Sequence, residues 1–500
     1  MPVARFVIPC LLLSFASAPA PPPQAPEQPE IITIDAAAPA KPFPHFWEQM
    51  FGSGRAVLSM RESYRTDLRA VKGQTDLTYI RFHAILDDEI GVYDEDEKGR
   101  PVYNFSYVDE IYDGLLENKV KPFVELSFMP RKLAANLTPH PFWYKPLPSP
   151  PKDPAKWSAL VAAFAKHLIE RYGKNEVESW YFEVWNEPNI DFWDGEPKQS
   201  TYFAFYDVTA KAIKDVDMGL RIGGPATAQA AWVDAFIAHC KQNNIPFDFV
   251  STHVYGNEES KLVFGRDLPI KRRDMVAKSA QKVFDQVKAS GAPNTPIIWS
   301  EYNATYLNQV AVTDSAFMGP YLANNIRECD GLTGMMSYWS FSDVFEEQGV
   351  VKTPFYGGYG LIAERHLPKS AFYAFALLHG LGTSRVPVRS ENVLVTKRED
   401  GTFVLALWNY AEPDENPPSK VFRLELKGVN AKNYTMRLVD RTHGSGLKAW
   451  QDLGSPVSPT PEQARMIQKA AAPAPPQEQA ITDPVTLEPQ ALAVLEIHPQ

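Results

Sequence analysis

The chain has 500 residues, 44% of them hydrophobic, and a formal net charge of −10. That length is too great for one ordinary core and predicts a large domain plus a smaller one. The negative balance leaves no basic footprint for nucleic acid or an anionic membrane and disfavours polyanionic substrates, so the expected partner is a small neutral molecule.

At the amino terminus Arg5, an apolar run over residues 6–15 and Ala16-Ser17-Ala18 have the layout of a secretory signal peptide, residues 1–18, too short to span a bilayer. They predict a secreted or periplasmic protein. Residues 19–30 are a Pro-rich tether with too few apolar groups to fold. Residues 31–40 open with Ile31-Ile32-Thr33-Ile34, a short β-branched strand. Ala and Pro separate it from the next elements, and it is expected to join a different sheet.

From Phe46 apolar strands alternate with helical stretches. After a first segment ending in Gly52-Ser53-Gly54-Arg55, strands are expected at residues 77–83, 121–128, 181–184, 220–224, 247–253, 296–299 and 334–339. Helical spacing of apolar residues appears at 157–172, 202–216 and 271–290. Eight strands in alternation with helices predict a (β/α)₈ barrel over residues 41–360, with its chemistry on the loops after the strands' carboxyl ends. An open doubly wound sheet is the competing fold. It usually carries a Gly-rich phosphate turn after its first strand, whereas polar and aromatic residues here cluster after many strands. Beyond Gly360 the helical pattern fades once residues 371–381 are passed. Short strands at 393–396, 402–409, 420–426, 434–438 and 491–497 predict a β-sandwich over 361–500, completed by residues 31–34, with 470–479 as an exposed loop.

Cys10 falls inside the signal segment. Cys240 and Cys329 can form at most one disulfide, and their spacing favours two isolated core thiols. No CxxC, HExxH or GxxxxGK[ST] motif occurs, so no structural metal, nucleotide or redox cofactor is expected. The sequence carries no signature of oligomeric state.

Two strand tips carry the chemistry. Tyr181-Phe182-Glu183-Val184 breaks into Trp185-Asn186-Glu187-Pro188, and Ile297-Ile298-Trp299 ends in Ser300-Glu301-Tyr302-Asn303. Opposing tips of strands four and seven of a barrel can set two carboxyl groups about 5–5.5 Å apart, the separation a retaining glycosidase needs. Glu301 is then the nucleophile and Glu187 the acid/base, its proton held by the charge of Glu301.

These two motifs resemble the clan of (β/α)₈ retaining glycosidases. Within it the chain is similar to glycoside hydrolase family 39, the family of β-xylosidases and α-L-iduronidases. Further matches are Gly52-Ser53-Gly54-Arg55-Ala56, Tyr79-Ile80-Arg81-Phe82-His83, the run Tyr338-Trp339-Ser340-Phe341-Ser342-Asp343-Val344-Phe345-Glu346-Glu347 and Pro354-Phe355-Tyr356-Gly357-Gly358-Tyr359-Gly360. The resemblance implies Glu187 as acid/base, Glu301 as nucleophile and Asn186 as the partner of the sugar 2-hydroxyl. It implies a glycone pocket lined by His83, His253, Tyr255, Trp339, Glu346 and Glu347, with Arg81 as a charge partner near the nucleophile. Trp339 offers an apolar platform for a sugar face, and Tyr255 can hydrogen-bond Glu301. Tyr356 departs from the family pattern, which more often has His there.

The Phe345-Glu346-Glu347 tip resembles the xylosidase branch, and two carboxylates would repel a uronate. The expectation is a secreted exo-acting β-D-xylosidase on small neutral xylo-oligosaccharides. The enzyme alternatives are an α-L-iduronidase-like activity, a β-glucosidase or an α-L-arabinosidase; a secreted carbohydrate-binding protein without turnover is the alternative of a different class. Sequons occur at Asn104, Asn136, Asn303 and Asn433, but a glycan two residues past Glu301 would crowd the pocket, which argues against a glycoprotein.

Overall fold

The computed structural model describes residues 28–499. The signal segment and the start of the tether lie outside the described residues. Eight parallel strands close into a barrel in chain order: β1 (Met50–Gly52), β2 (Tyr79–Phe82), β3 (Lys121–Glu125), β4 (Tyr181–Glu183), β5 (Arg221–Thr227), β6 (Phe249–Tyr255), β7 (Ile297–Asn303) and β8 (Met335–Tyr338). Helices follow each strand and wrap the barrel, the last two being α7 (Met318–Cys329) and α8 (Ser370–Leu378). Among the described residues no helix is long and apolar enough to cross a membrane.

Because side chains alternate along a strand, the barrel interior is layered. At the bottom, Met50, Phe123, Phe249, Ile298 and Met335 pack together with Tyr79 and Tyr181 against them. Two residues further along, Arg81, Glu125 and Glu183 form a buried charged layer, with Arg81 2.7 Å from Glu125 and 2.5 Å from Glu183. Two further again come His83, His253 and Trp339 at the mouth. The intervening residues, Ile80, Phe82, Val124, Phe182, Trp299, Met336 and Tyr338, belong to the core between barrel and helices.

The second domain is a sandwich. Its larger sheet orders seven strands as Lys41–Pro42, Ser384–Val386, Val393–Lys397, Phe403–Asn409, Ala491–Ile497, Asn433–Val439 and Gln477–Ala480. The smaller pairs Glu30–Asp35 parallel with Lys420–Lys427, and Val485–Leu487 antiparallel. Val393, Val395, Leu405 and Leu495 face the sandwich core with Ile32 and Ile34. Their neighbours Leu394, Val404, Ala406, Trp408, Leu492 and Val494 join the barrel's core. A sheet buried on both faces explains why Phe403–Asn409 reads as an almost continuous apolar run.

The structure moves two boundaries. α8 packs against α7 as the eighth barrel helix, so the barrel extends past residue 360, and Lys41–Pro42 pairs with the sandwich sheet, not the barrel. Residues 470–479 are a loop only in their middle: they end the helix Pro461–Ala471, run irregularly over 472–476 and begin the edge strand Gln477–Ala480. That helix starts with a capping box between Thr460 and Gln463 and Pro461 in its first turn, a signal the Pro/Ala-rich composition masks. Cys240 and Cys329 are both buried and free.

Candidate active site

The two glutamates reach the mouth by different backbone devices. On β7 strict alternation would turn Glu301 outward, since Ile298 faces the interior and Trp299 the outer core. The register to β6 pairs Thr252 with Trp299 and then His253 with Glu301, skipping Ser300. This β-bulge re-aims Glu301 inward. After β4 the chain instead takes left-handed conformations at Trp185 (φ 74°) and Glu187 (φ 44°). Such strain persists where surroundings hold it, and here the Glu187 N–H donates to the Ala226 carbonyl at 2.8 Å.

Glu301 is buried and ringed by donors. Arg81 Nη1 donates to its Oε1 at 2.7 Å and Tyr255 Oη to its Oε2 at 2.8 Å. The same guanidinium donates through Nη2 to Asn186 Oδ1 at 3.0 Å, so one arginine fixes the nucleophile candidate and its amide neighbour together. Burial, then the charge of Glu301, pushes Glu187 well above the usual carboxyl range. Burial with Arg81 and His83 nearby holds His253 well below the usual imidazole value. The 3.0 Å contact from His253 Nδ1 to Glu187 Oε1 is therefore disfavoured as an ion pair and favoured as a neutral hydrogen bond, while Nε2 lies 3.1 Å from Ser300 Oγ. An oxygen of each glutamate and a ring nitrogen of His253 fall within 4.8 Å of one another. That proximity fits direct displacement by a carboxylate; inversion needs the carboxyls about 6.5–9.5 Å apart, with water between.

The cavity above this pair encloses about 330 Å³ and is lined by His83, Asn186, Glu187, Tyr255, Glu301, Trp339 and Glu347 among others. His253 lies beneath it and is fully buried. Glu346 does not line it: its carboxylate is gripped by Arg61 at 2.6 Å and Arg55 at 3.1 Å, which anchors the loop that carries Glu347. Burial pushes Glu347 up to about 8, despite His83. Burial alone would lower His83, but Glu125, 2.8 Å from its Nδ1, outweighs this and raises it. His83 also packs against the Trp339 ring at 4.8 Å. Tyr356 lines a neighbouring cavity behind Glu347 and Tyr359. Asn303 is fully buried, leaving no room for a glycan.

Several supporting residues were not singled out from the sequence. A Cβ at Gly52 would come within 2.1 Å of the Trp339 ring, so this glycine makes the indole's seat. Lys369, fully buried, bridges Asp314 (2.7 Å) and Asp343 (2.6 Å) and donates to the Gly358 carbonyl, fixing the segment that presents Tyr359. Glu125 and Glu183 were legible as inward positions two residues above the aromatic layer. A second His/carboxylate cluster lies at the opposite end of the barrel, where His45 and His379 bond Glu48 directly at 2.5 and 3.0 Å.

A closed parallel barrel whose mouth pairs a proton-bearing carboxyl with a buried, donor-ringed carboxylate defines a retaining glycosidase. The model of Glycosyl hydrolases family 39 matches residues 30–483, and the chain belongs to that family. A beta-xylosidase of Geobacillus stearothermophilus is 35% identical, over 85% of this chain and 86% of its own length. One from Caldicellulosiruptor saccharolyticus is 34% identical, over 85% and 88%. The crystal structure of a monomeric beta-xylosidase from Caulobacter crescentus CB15 matches with a TM-score of 0.84 at 32% identity, covering 94% of this chain and 99% of that one.

Proposed function

We propose that the protein is an exo-acting β-D-xylosidase that removes xylose from neutral xylosides by double displacement, and that residues 1–18 direct its secretion. The observation that carries this reading is the Glu187–Glu301 pair in a cavity whose lining, among the described residues, includes no lysine or arginine. A uronate would meet no lysine or arginine at the cavity wall to pair with its carboxylate. The beta-xylosidase relatives support the same glycone.

In the first step Glu301 attacks the anomeric carbon as Glu187 gives its proton to the glycosidic oxygen; the carbon–oxygen bond breaks and the alcohol leaves. Loss of the Glu301 charge then lowers the proton affinity of Glu187. Now a base, Glu187 takes a proton from water, which attacks the anomeric carbon and frees Glu301. Arg81 and Tyr255 donate to Glu301 and align it for attack, and Asn186 offers its amide to the 2-hydroxyl.

The test is release of nitrophenol from β-D-xyloside, β-D-glucoside, α-L-arabinoside and α-L-iduronide, with the Glu301→Gln variant in parallel. Xyloside preference abolished in the variant supports the reading. Iduronide preference moves the glycone, and binding without turnover points to a carbohydrate-binding protein. N-terminal sequencing of the exported protein tests the cleavage after Ala18.

A further inference from the structure

The cavity has two unlike sides. Around Glu301 it is polar, with His83, Asn186, Tyr255 and Glu347. The other side is formed by loops after β3, β4 and β5, and Phe142, Ile190, Phe192 and Ala228 line it. Phe192 stacks on His140 with ring centroids 4.2 Å apart and meets Phe142 edge-on at 5.3 Å.

This apolar side is fixed to the acid's own loop. The Ile190 N–H donates to the Glu187 carbonyl at 3.2 Å, and Asn189 and Ala228 clamp each other through bonds of 2.9 and 3.1 Å. An acid delivers its proton to the leaving oxygen, so the departing group lies on the Glu187 side.

A sugar there would need free hydrogen-bond partners, and the polar ring packed among these apolar side chains, His140, is already engaged. His140 Nδ1 accepts from the Phe142 N–H at 3.3 Å and its Nε2 lies 3.4 Å from Asp191. Asp191 and Glu258 also disfavour an acidic leaving group.

We infer that the leaving-group side of this site is built for an uncharged apolar aglycone, an aryl or alkyl alcohol, in preference to a second sugar ring. The inference rests on Glu187 being the acid. Burying an aromatic ring there is worth about tenfold or more in kcat/KM.

The experiment compares kcat/KM for benzyl β-D-xyloside and xylobiose in the wild type, Ile190→Ser and Phe142→Ser, with the fold of each variant checked by circular dichroism. Benzyl alcohol is a poorer leaving group than a sugar hydroxyl, so intrinsic reactivity favours xylobiose and only the site can reverse it. The expected result is a benzyl preference of about tenfold that shrinks in both variants. Hydrolysis of nitrophenyl xyloside combined with equal or better use of xylobiose overturns this inference alone, as does a preference unchanged in both folded variants. If another glycone is hydrolysed, the same pair of leaving groups on that sugar reads the inference. Failure to hydrolyse any glycoside overturns the reading of Glu187 and this inference with it.

Discussion

Glu187 and His253 meet at 3.0 Å in surroundings that favour the uncharged form of each. Burial drives both results, because a low-dielectric site disfavours the carboxylate and the imidazolium alike. In the proposed mechanism proton donation therefore depends on Glu187 retaining its proton above the ordinary glutamic acid pKa of about 4.3.

Activity should accordingly fall on the alkaline side, as pH rises through the elevated Glu187 value. In Glu187→Gln this limb disappears from the pH profile of kcat/KM, and substrates with poor leaving groups slow by about 10²–10⁴-fold while nitrophenyl xyloside loses less. An alkaline limb that persists in the variant assigns the proton to another group.

Glu347 gives a stability prediction. Its folded-state pKa is raised to about 8, so in the window between the ordinary carboxyl value and about 8 the native state binds a proton that the unfolded chain has released. Stability from this group is present below that window and declines as pH rises through it. Thermal unfolding of Glu347→Gln across the window should show a shallower fall in Tm than the wild type; parallel curves would mean that Glu347 is ionised in the native state.

Gly52→Ala should dislodge Trp339, since the added methyl meets the indole at 2.1 Å. Overpacking of this kind costs about 1–3 kcal/mol. The expected signature is a change in tryptophan fluorescence and a loss of about tenfold or more in kcat/KM, with far-ultraviolet circular dichroism retained.

Lys369→Met should destabilise the protein by about 3–5 kcal/mol, because it leaves Asp314 and Asp343 buried without their cation. Burial already raises Asp314 to about 6 despite Lys369. The loss should shrink in acid, where the orphaned carboxylates take up protons. Denaturant titrations at two pH values check this; an equal loss at both would assign the effect to packing.

Much of the barrel was legible because its apolar strands alternate with helical stretches and end in polar tips, and Glu187 and Glu301 stood out at two such tips. The partners of those tips were harder to read. Glu346 and Glu347 are adjacent and chemically alike, yet Arg55 and Arg61 take the first and the cavity the second, a division set by long-range contacts. His253 looked like a sugar ligand from its place at a strand end, but it is fully buried and its two ring nitrogens are taken by Glu187 and Ser300. Gly52 stood out only as the start of the match over residues 52–56, and its role as the seat of an indole far along the chain was not legible. The second domain's limits blurred because α8 and Lys41–Pro42 each lie on the far side of a compositional boundary from the domain they join.

The seven-stranded sheet with two buried faces determines how the protein can be cut. Leu394, Val404, Trp408 and Leu492 belong to the barrel's core as fully as they belong to their own strands. Removing the carboxyl-terminal domain would uncover that face and leave a greasy wound along α7 and α8, so the catalytic half is not a transferable module. The two domains share a boundary that works as interior, and the chain should melt as one cooperative unit.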